Sequence, residues 1–172
     1  INTCGFIDNA KQESIDTILQ YADARQEGKI AKLLVMGCLS HRYRLDLEKE
    51  IPQVDAWYGT MELRSILRGL GVDYRKELLG ERRISTPSHT AFLKISEGCD
   101  RPCSFCAIPL MRGNHRSVSV QDLLEEAKNL VRGGVKELVL IAQDLTYYGL
   151  DQTGQRELAH LLDRLSAESG AE

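Results

Sequence analysis

The sequence has no apolar run approaching the roughly 20 residues that a membrane-spanning helix requires. It has no Gly-x-Gly-x-x-Gly pattern and no phosphate loop, so nothing supports nucleotide hydrolysis. It has little net charge: 22 Lys and Arg against 25 Asp and Glu give −3, and no global positive field draws the chain toward nucleic acid. Cysteine numbers five in 172 residues. An odd count with no secretory pattern argues against a disulfide framework. What remains, 42% hydrophobic and 27% charged, is ordinary for a globular chain of about one or two domains.

Three of the five cysteines are packed into eight residues, Cys99-Asp-Arg-Pro-Cys103-Ser-Phe-Cys106. The preceding Ala91-Phe-Leu-Lys-Ile-Ser-Glu-Gly98 reads as a short apolar strand ending in a glycine turn. The following Ile108-Pro-Leu-Met-Arg-Gly-Asn-His115 reads as a loop. Three cysteines on a loop at a strand end can converge on one point, and thiolate is the ligand that soft metals and iron–sulfur clusters select. A closed structural zinc site wants four protein ligands, and only three are local; His41, His89 or His115 would have to complete it. A c-type haem site is excluded, because Ala107 stands where its histidine is needed. Three thiolates on a four-iron cluster leave one iron open, and an open position is what catalysis uses. Arg101, Arg112 and Arg116 flank the loop, either as solvated surface or as part of a site.

Residues 1 to about 70 alternate helix and strand signals. Helical spacing of Ala10, Ser14, Ile15, Ile18, Leu19 and Ala22 predicts a helix from about Asn9 to Arg25. Leu33 to Met36 reads as a buried parallel strand, Arg42 to Lys49 as a helix stopped by Pro52, Val54 to Tyr58 as a strand and Met61 to Leu70 as a helix. This alternation predicts a doubly wound α/β domain over 1–70. Weak periodicity over 71–89 reads as a connector. A second α/β unit spans 90–172, with Ser119 and Asp122 as the N-cap and acidic third position of a helix that Gly133-Gly134 ends. Leu138 to Ala142 is its next buried strand, with Gln143 and Asp144 at the carboxyl end, and Leu158, Leu161, Leu162 and Leu165 mark a last helix. Such a β–α–β–α run over about 82 residues is a third of the roughly 250 that a full barrel takes. Ile1 is not an initiating methionine, and both ends read as cut, so an internal segment is expected.

Cys4 follows the first strand and Cys38 the second, 34 positions later, one strand–helix–strand unit apart. Parallel neighbours put both loops on one carboxyl edge, where such sheets bind ligands. Two isolated buried cysteines are the equal alternative.

Cys-x-x-x-Cys-x-aromatic-Cys, with Phe105 as the aromatic, resembles the cluster motif of radical S-adenosylmethionine enzymes. The wider string Lys94-Ile-Ser-Glu-Gly-Cys-Asp-Arg-Pro-Cys-Ser-Phe-Cys-Ala-Ile-Pro109, then Met111-Arg-Gly-Asn-His-Arg-Ser117, is similar to the methylthiotransferase family within that group. The resemblance implies that the 90–172 unit begins a partial (βα) barrel. It implies that Cys99, Cys103 and Cys106 bind a 4Fe-4S cluster whose open iron S-adenosylmethionine chelates, and whose electron releases a deoxyadenosyl radical. Asn2-Thr-Cys-Gly-Phe-Ile7 and Met36-Gly-Cys38 resemble two of three cysteine sites holding an auxiliary 4Fe-4S cluster that supplies the sulfur. The third ligand of that pattern lies upstream of Ile1. Phe105 is expected near the adenine or in the core, and Gln143 and Asp144 near S-adenosylmethionine or as strand-end caps.

Ile141-Ala-Gln-Asp-Leu-Thr-Tyr-Tyr-Gly-Leu-Asp151 is similar to the branch that modifies the β-carbon of an aspartate in a small-subunit ribosomal protein. Branches acting on transfer-RNA adenosines read differently after that strand. The resemblance implies a cytoplasmic transferase with a ribosomal protein substrate and an electron donor such as flavodoxin or ferredoxin, no membrane, and no settled role for direct RNA binding. These residues alone are expected to be inactive. Two other readings stay open: a transfer-RNA methylthiotransferase, and a non-catalytic iron–sulfur or zinc module.

Overall fold

A computed structural model describes residues 1–71 and 84–170. These form two compact units, 1–71 with 102–112 and 84–101 with 113–170. The chain is α/β throughout, with parallel sheets in both units. Most of the connector expected over 71–89 lies outside the described residues. No helix of the described residues is long and apolar enough to cross a membrane.

In the first unit, β1 (Asn2–Thr3), β2 (Leu34–Gly37) and β3 (Ala56–Tyr58) form a parallel sheet in that order. Each is linked to the next by a helix, α1 (Asp8–Gln26) then α2 (Cys38–Glu50), and α3 (Leu63–Gly69) follows β3. Ile18, Ala22, Leu33, Val35, Leu39, Ile51, Val54 and Trp57 are buried together. The helix expected from Arg42 begins at Cys38 instead, directly off β2. Its apolar periodicity is interrupted because two helical stretches meet at a kink, where Tyr43 has φ −116 and ψ 20. The loop expected after Ala107 contains one helical segment, α4 (Ile108–Arg112), packed on α2. Pro109 suits its first turn, where a missing N–H costs nothing.

The second unit is built on β4 (Thr90–Lys94) and β7 (Glu137–Ile141), parallel and in register from Thr90–Glu137 to Lys94–Ile141. Between them run β5 (Ser96–Glu97), β6 (Arg116–Ser117) and α5 (Val120–Arg132). The single strand expected over 91–98 is therefore two: after Ile95 the chain leaves β7 and pairs antiparallel with β6. The Ser119 hydroxyl accepts from Asp122 N–H at 3.2 Å, the expected cap of α5. Beyond β7 a 3-10 turn (Leu145–Tyr147) leads to α6 (Leu150–Thr153) and α7 (Leu158–Glu168). Ala91, Leu93 and Ile95 pack with Leu123, Leu124, Ala127 and Leu161 on one face of the sheet. The side chains that alternate with them face the other way, and Phe92 and Ile141 there are exposed. Tyr148 is buried with its hydroxyl donating to Val118 O at 2.7 Å, and burial pushes the phenol up to about 12.

Candidate metal centre

All five thiols are free. In the first unit the register sets Thr3 of β1 opposite Gly37 of β2. The next residues on each strand's path, Cys4 and Cys38, thus leave the sheet at the same carboxyl edge. Cys38 is buried as the first residue of α2, and Cys4 is exposed. Two contacts fix the Cys4 backbone. Its N–H donates to Ser14 Oγ at 3.0 Å, and that hydroxyl donates back to Cys4 O at 3.3 Å. Ser14 lies in α1 and is buried. The chain after Cys4 then presses on α2: a Cβ on Gly5 would lie 2.8 Å from Leu39 N and 2.9 Å from Cys38 C. Only glycine permits that approach.

In the second unit, Cys99 is buried and emerges from a stapled base. Its N–H donates to Gly113 O at 3.1 Å, and His115 N–H donates to Asp100 Oδ1 at 3.0 Å. Gly98 sits at φ +78, where a Cβ would be 2.1 Å from Asn114 O, so the two sides of the base meet backbone to backbone. Cys103 and Cys106 belong to the first unit. There Cys106 N–H donates to Cys103 O at 3.1 Å in a turn entering α4. Cys103 is exposed and Cys106 half-buried. Phe105 is 92% exposed, which removes its core reading. Among the described residues no three His, Cys, Asp or Glu side chains gather as a bound metal ion would need. The donor set nevertheless fits a cluster: three free thiols within eight residues, two of them open to an incoming group.

At the carboxyl end of β7, Asp144 is fully engaged. Its Oδ1 accepts from Thr146 N at 2.9 Å and Thr146 Oγ1 at 2.7 Å, and its Oδ2 accepts from Arg101 Nε. Burial pushes this carboxyl up, but the hydrogen bonds from Thr146 and Arg101 outweigh it, and it lies below the ordinary carboxylate value. Gln143 is half-buried, and its Oε1 is enclosed with no partner.

A second polar cluster went unread in the sequence. Ser117 Oγ donates to Asp151 Oδ1 at 2.6 Å and accepts from Gly149 N–H at 3.0 Å, and Ser117 N–H donates to Asp151 Oδ2 at 2.8 Å. His115 Nε2 lies 3.2 Å from that hydroxyl, and its Nδ1 is buried with no partner. With the hydroxyl proton committed to Asp151, Nε2 is the donor in that contact. Burial pushes Asp151 up, and the two bonds from Ser117 bring it below the ordinary value. This cluster ties β6 to α6, and nothing in residue spacing announces it.

Residues 93–171, which include the Cys-x-x-x-Cys-x-x-Cys loop and β7, match the Radical SAM superfamily. Residues 1–59 match the family described as Uncharacterized protein family UPF0004. The chain is 62% identical over its whole length to Ribosomal protein uS12 methylthiotransferase RimO of Flavobacterium johnsoniae, covering 39% of that protein. It is likewise 62% identical to the protein of that name from Flavobacterium psychrophilum, covering 40% of it. Over 99% of its length it is 61% identical to the one from Cytophaga hutchinsonii, again covering 39%. Along its length the chain is thus similar to proteins named as methylthiotransferases, and its second part matches the Radical SAM superfamily. It spans about two fifths of the length of the curated relatives it matches.

Proposed function

We propose that the protein carrying this chain is a radical S-adenosylmethionine methylthiotransferase that modifies the β-carbon of an aspartate in a small-subunit ribosomal protein. The observation that carries this reading is the three-thiol loop, delivered by β4 at the edge of a parallel sheet, within a chain similar along its length to relatives named for methylthiolation of uS12. The reading includes a division into 1–70, a connector over 71–89, and a barrel beginning at 90.

Cys99, Cys103 and Cys106 hold the first 4Fe-4S cluster. Cys4 and Cys38 contribute two ligands to an auxiliary 4Fe-4S cluster whose third ligand is not among these residues. The cluster and S-adenosylmethionine that Cys99, Cys103 and Cys106 would hold would supply, on one-electron reduction by the electron donor, a radical able to remove hydrogen from a carbon that no acid–base pair here activates. The chain's own work is placement. Gly98 and the Cys99–Gly113 and His115–Asp100 bonds fix where the loop leaves the sheet. Gln143 offers a buried acceptor for a ligand donor such as an amino group. Phe105 is exposed and free to stack on an adenine. A ribosomal protein substrate places the enzyme in the cytoplasm, served by a small electron donor of the flavodoxin or ferredoxin kind.

Mass spectrometry of ribosomal proteins and of digested transfer RNA, from cells with and without the gene, tests the assignment. The reading predicts a methylthio group on the ribosomal aspartate that disappears with the gene, and unchanged transfer RNA. Loss of a methylthio group from a transfer-RNA adenosine instead would move the substrate to RNA.

A further inference from the structure

Two residues, Asp100 and Arg101, separate Cys99 from Pro102, and neither is idle. Asp100 takes the N–H of His115. Arg101 closes a three-residue ring: its Nε donates to Asp144 Oδ2, its Nη2 donates to Thr146 Oγ1 at 3.0 Å, and Thr146 Oγ1 donates to Asp144 Oδ1 at 2.7 Å. The guanidinium also lies over the Tyr147 ring, 4.4 Å from its centroid, and Arg156 approaches the same ring at 5.6 Å. All these partners belong to the second unit.

An exposed ion pair contributes little, but this one has a different character. The Asp144 side chain is only 14% exposed, and the pairing uses the planar fork and the flat face of the guanidinium together. Both arginine functions point at one place, the 3-10 turn just past β7. Asp144, in turn, has Oδ1 committed to Thr146 and Oδ2 to Arg101. It is engaged as an anchor, which separates it from Gln143, whose acceptor has no partner.

We propose that Arg101 is a positioning residue for the cluster-binding loop, tying the Cys99 arm to the carboxyl end of β7 through Asp144, Thr146 and Tyr147. The inference rests on the reading of Cys99, Cys103 and Cys106 as cluster ligands. Pro102 reinforces the tether, because the residue before a proline is held extended and cannot relax into a helical turn. With Cys99 two residues from the ring and its N–H bonded to Gly113, the first thiol has little freedom even before a cluster binds.

The test uses the full-length protein, anaerobically reconstituted in a Cys4→Ala, Cys38→Ala background so that only the loop cluster is loaded. Iron loss to EDTA and the midpoint potential are compared for Arg101→Met, Arg101→Lys, Asp144→Asn and the Arg101→Met, Asp144→Asn double variant. Both single removals should speed iron loss about tenfold, equivalent to roughly 1.4 kcal/mol. The lysine variant should not rescue, because charge without the fork and stack does not hold the arm. The double variant should be no faster than Arg101→Met, as expected of two partners in one interaction. A purely electrostatic role would move the potential in opposite directions when a cation or an anion is removed, whereas positioning moves it in the same direction in both. Tyr147→Leu, which removes the stack and the ring's edge contact with His115 but leaves the hydrogen bonds of Arg101, should have a smaller effect of about threefold. Rates within twofold of the parent, full rescue by lysine, additive effects in the double variant or opposite potential shifts would each overturn the proposal. In the cluster-free protein, iodoacetamide should alkylate Cys99 faster in Asp144→Asn. That readout separates this inference from the cluster reading, which fails on its own if Cys99→Ala leaves the loop iron in place.

Discussion

The two thiol-bearing regions are held by different means. Cys4 and Cys38 are set mainly by backbone: a parallel strand pair, a helix that begins at the second cysteine, and a glycine whose missing Cβ lets the first loop touch that helix. Around Cys99, a backbone staple is joined by side chains that reach it from afar in sequence, Asp144 and Thr146 through Arg101, and Asp151 through Ser117. A site fixed by backbone should be sensitive to added volume and tolerant of polar substitutions. A site fixed by side chains should show the reverse, and that contrast can be broken by mutation.

The largest effect should come from the floor shared by the second region. Leu93 is a fully buried residue of β4, the strand that feeds the cysteine loop. Leu93→Ala should cost about 2–5 kcal/mol through lost transfer energy and the cavity left behind, read by urea unfolding. Next is Gly5→Ala, whose Cβ would meet the α2 backbone. Backbone must shift to admit it, at about 1–3 kcal/mol, and iodoacetamide should then reach Cys38 faster while Cys99 is unaffected. Equal acceleration at both thiols would erase the contrast.

Asp151→Asn turns an acceptor of two Ser117 bonds into a mixed group. About 1–2 kcal/mol of local stability should be lost, visible as faster amide exchange at Ser117 and Gly149. Ser14→Ala removes the reciprocal pair to Cys4 and should cost about 1 kcal/mol, with faster exchange at the Cys4 amide. Acid provides a further comparison. Asp144 and Asp151 in the second region lie below their ordinary values, and the Arg25 guanidinium with Leu33 N–H brings Asp55 in the first region to about 2. Because each folded carboxyl is depressed, its contribution is present above the ordinary carboxylate range and is lost as pH falls through the folded value. Acid unfolding followed by circular dichroism should therefore set in below about pH 4, and Asp144→Asn should flatten it in the second region.

Periodicity made the long elements legible. The helix expected from Asn9 to Arg25 spans Asp8–Gln26, and the Ser119 cap is in place. The common carboxyl edge of Cys4 and Cys38 also follows from strand–helix–strand spacing, because parallel pairing fixes it. The start of α2 was not legible, since its kink at Tyr43 breaks the apolar repeat into pieces too short to read. The bend that moves Ser96 and Glu97 from β7 to β6 depends on Gly98 and on a partner strand about 20 positions away. Arg101 and Asp144 are 43 positions apart, and no local pattern links them. Arginines 101, 112 and 116 looked like a basic cluster in the sequence, whereas Arg101 is spent on an internal anchor.

The proposed function depends most on Cys99, Cys103 and Cys106 binding a catalytic four-iron cluster. The most direct measurement is iron, acid-labile sulfide and reductive cleavage of S-adenosylmethionine in the anaerobically reconstituted full-length protein lacking Cys4 and Cys38. The account predicts about four iron and four sulfide per chain, cleavage to deoxyadenosine, and loss of both when any one of the three thiols becomes alanine. Stoichiometric zinc with no labile sulfide, and no cleavage, would contradict it.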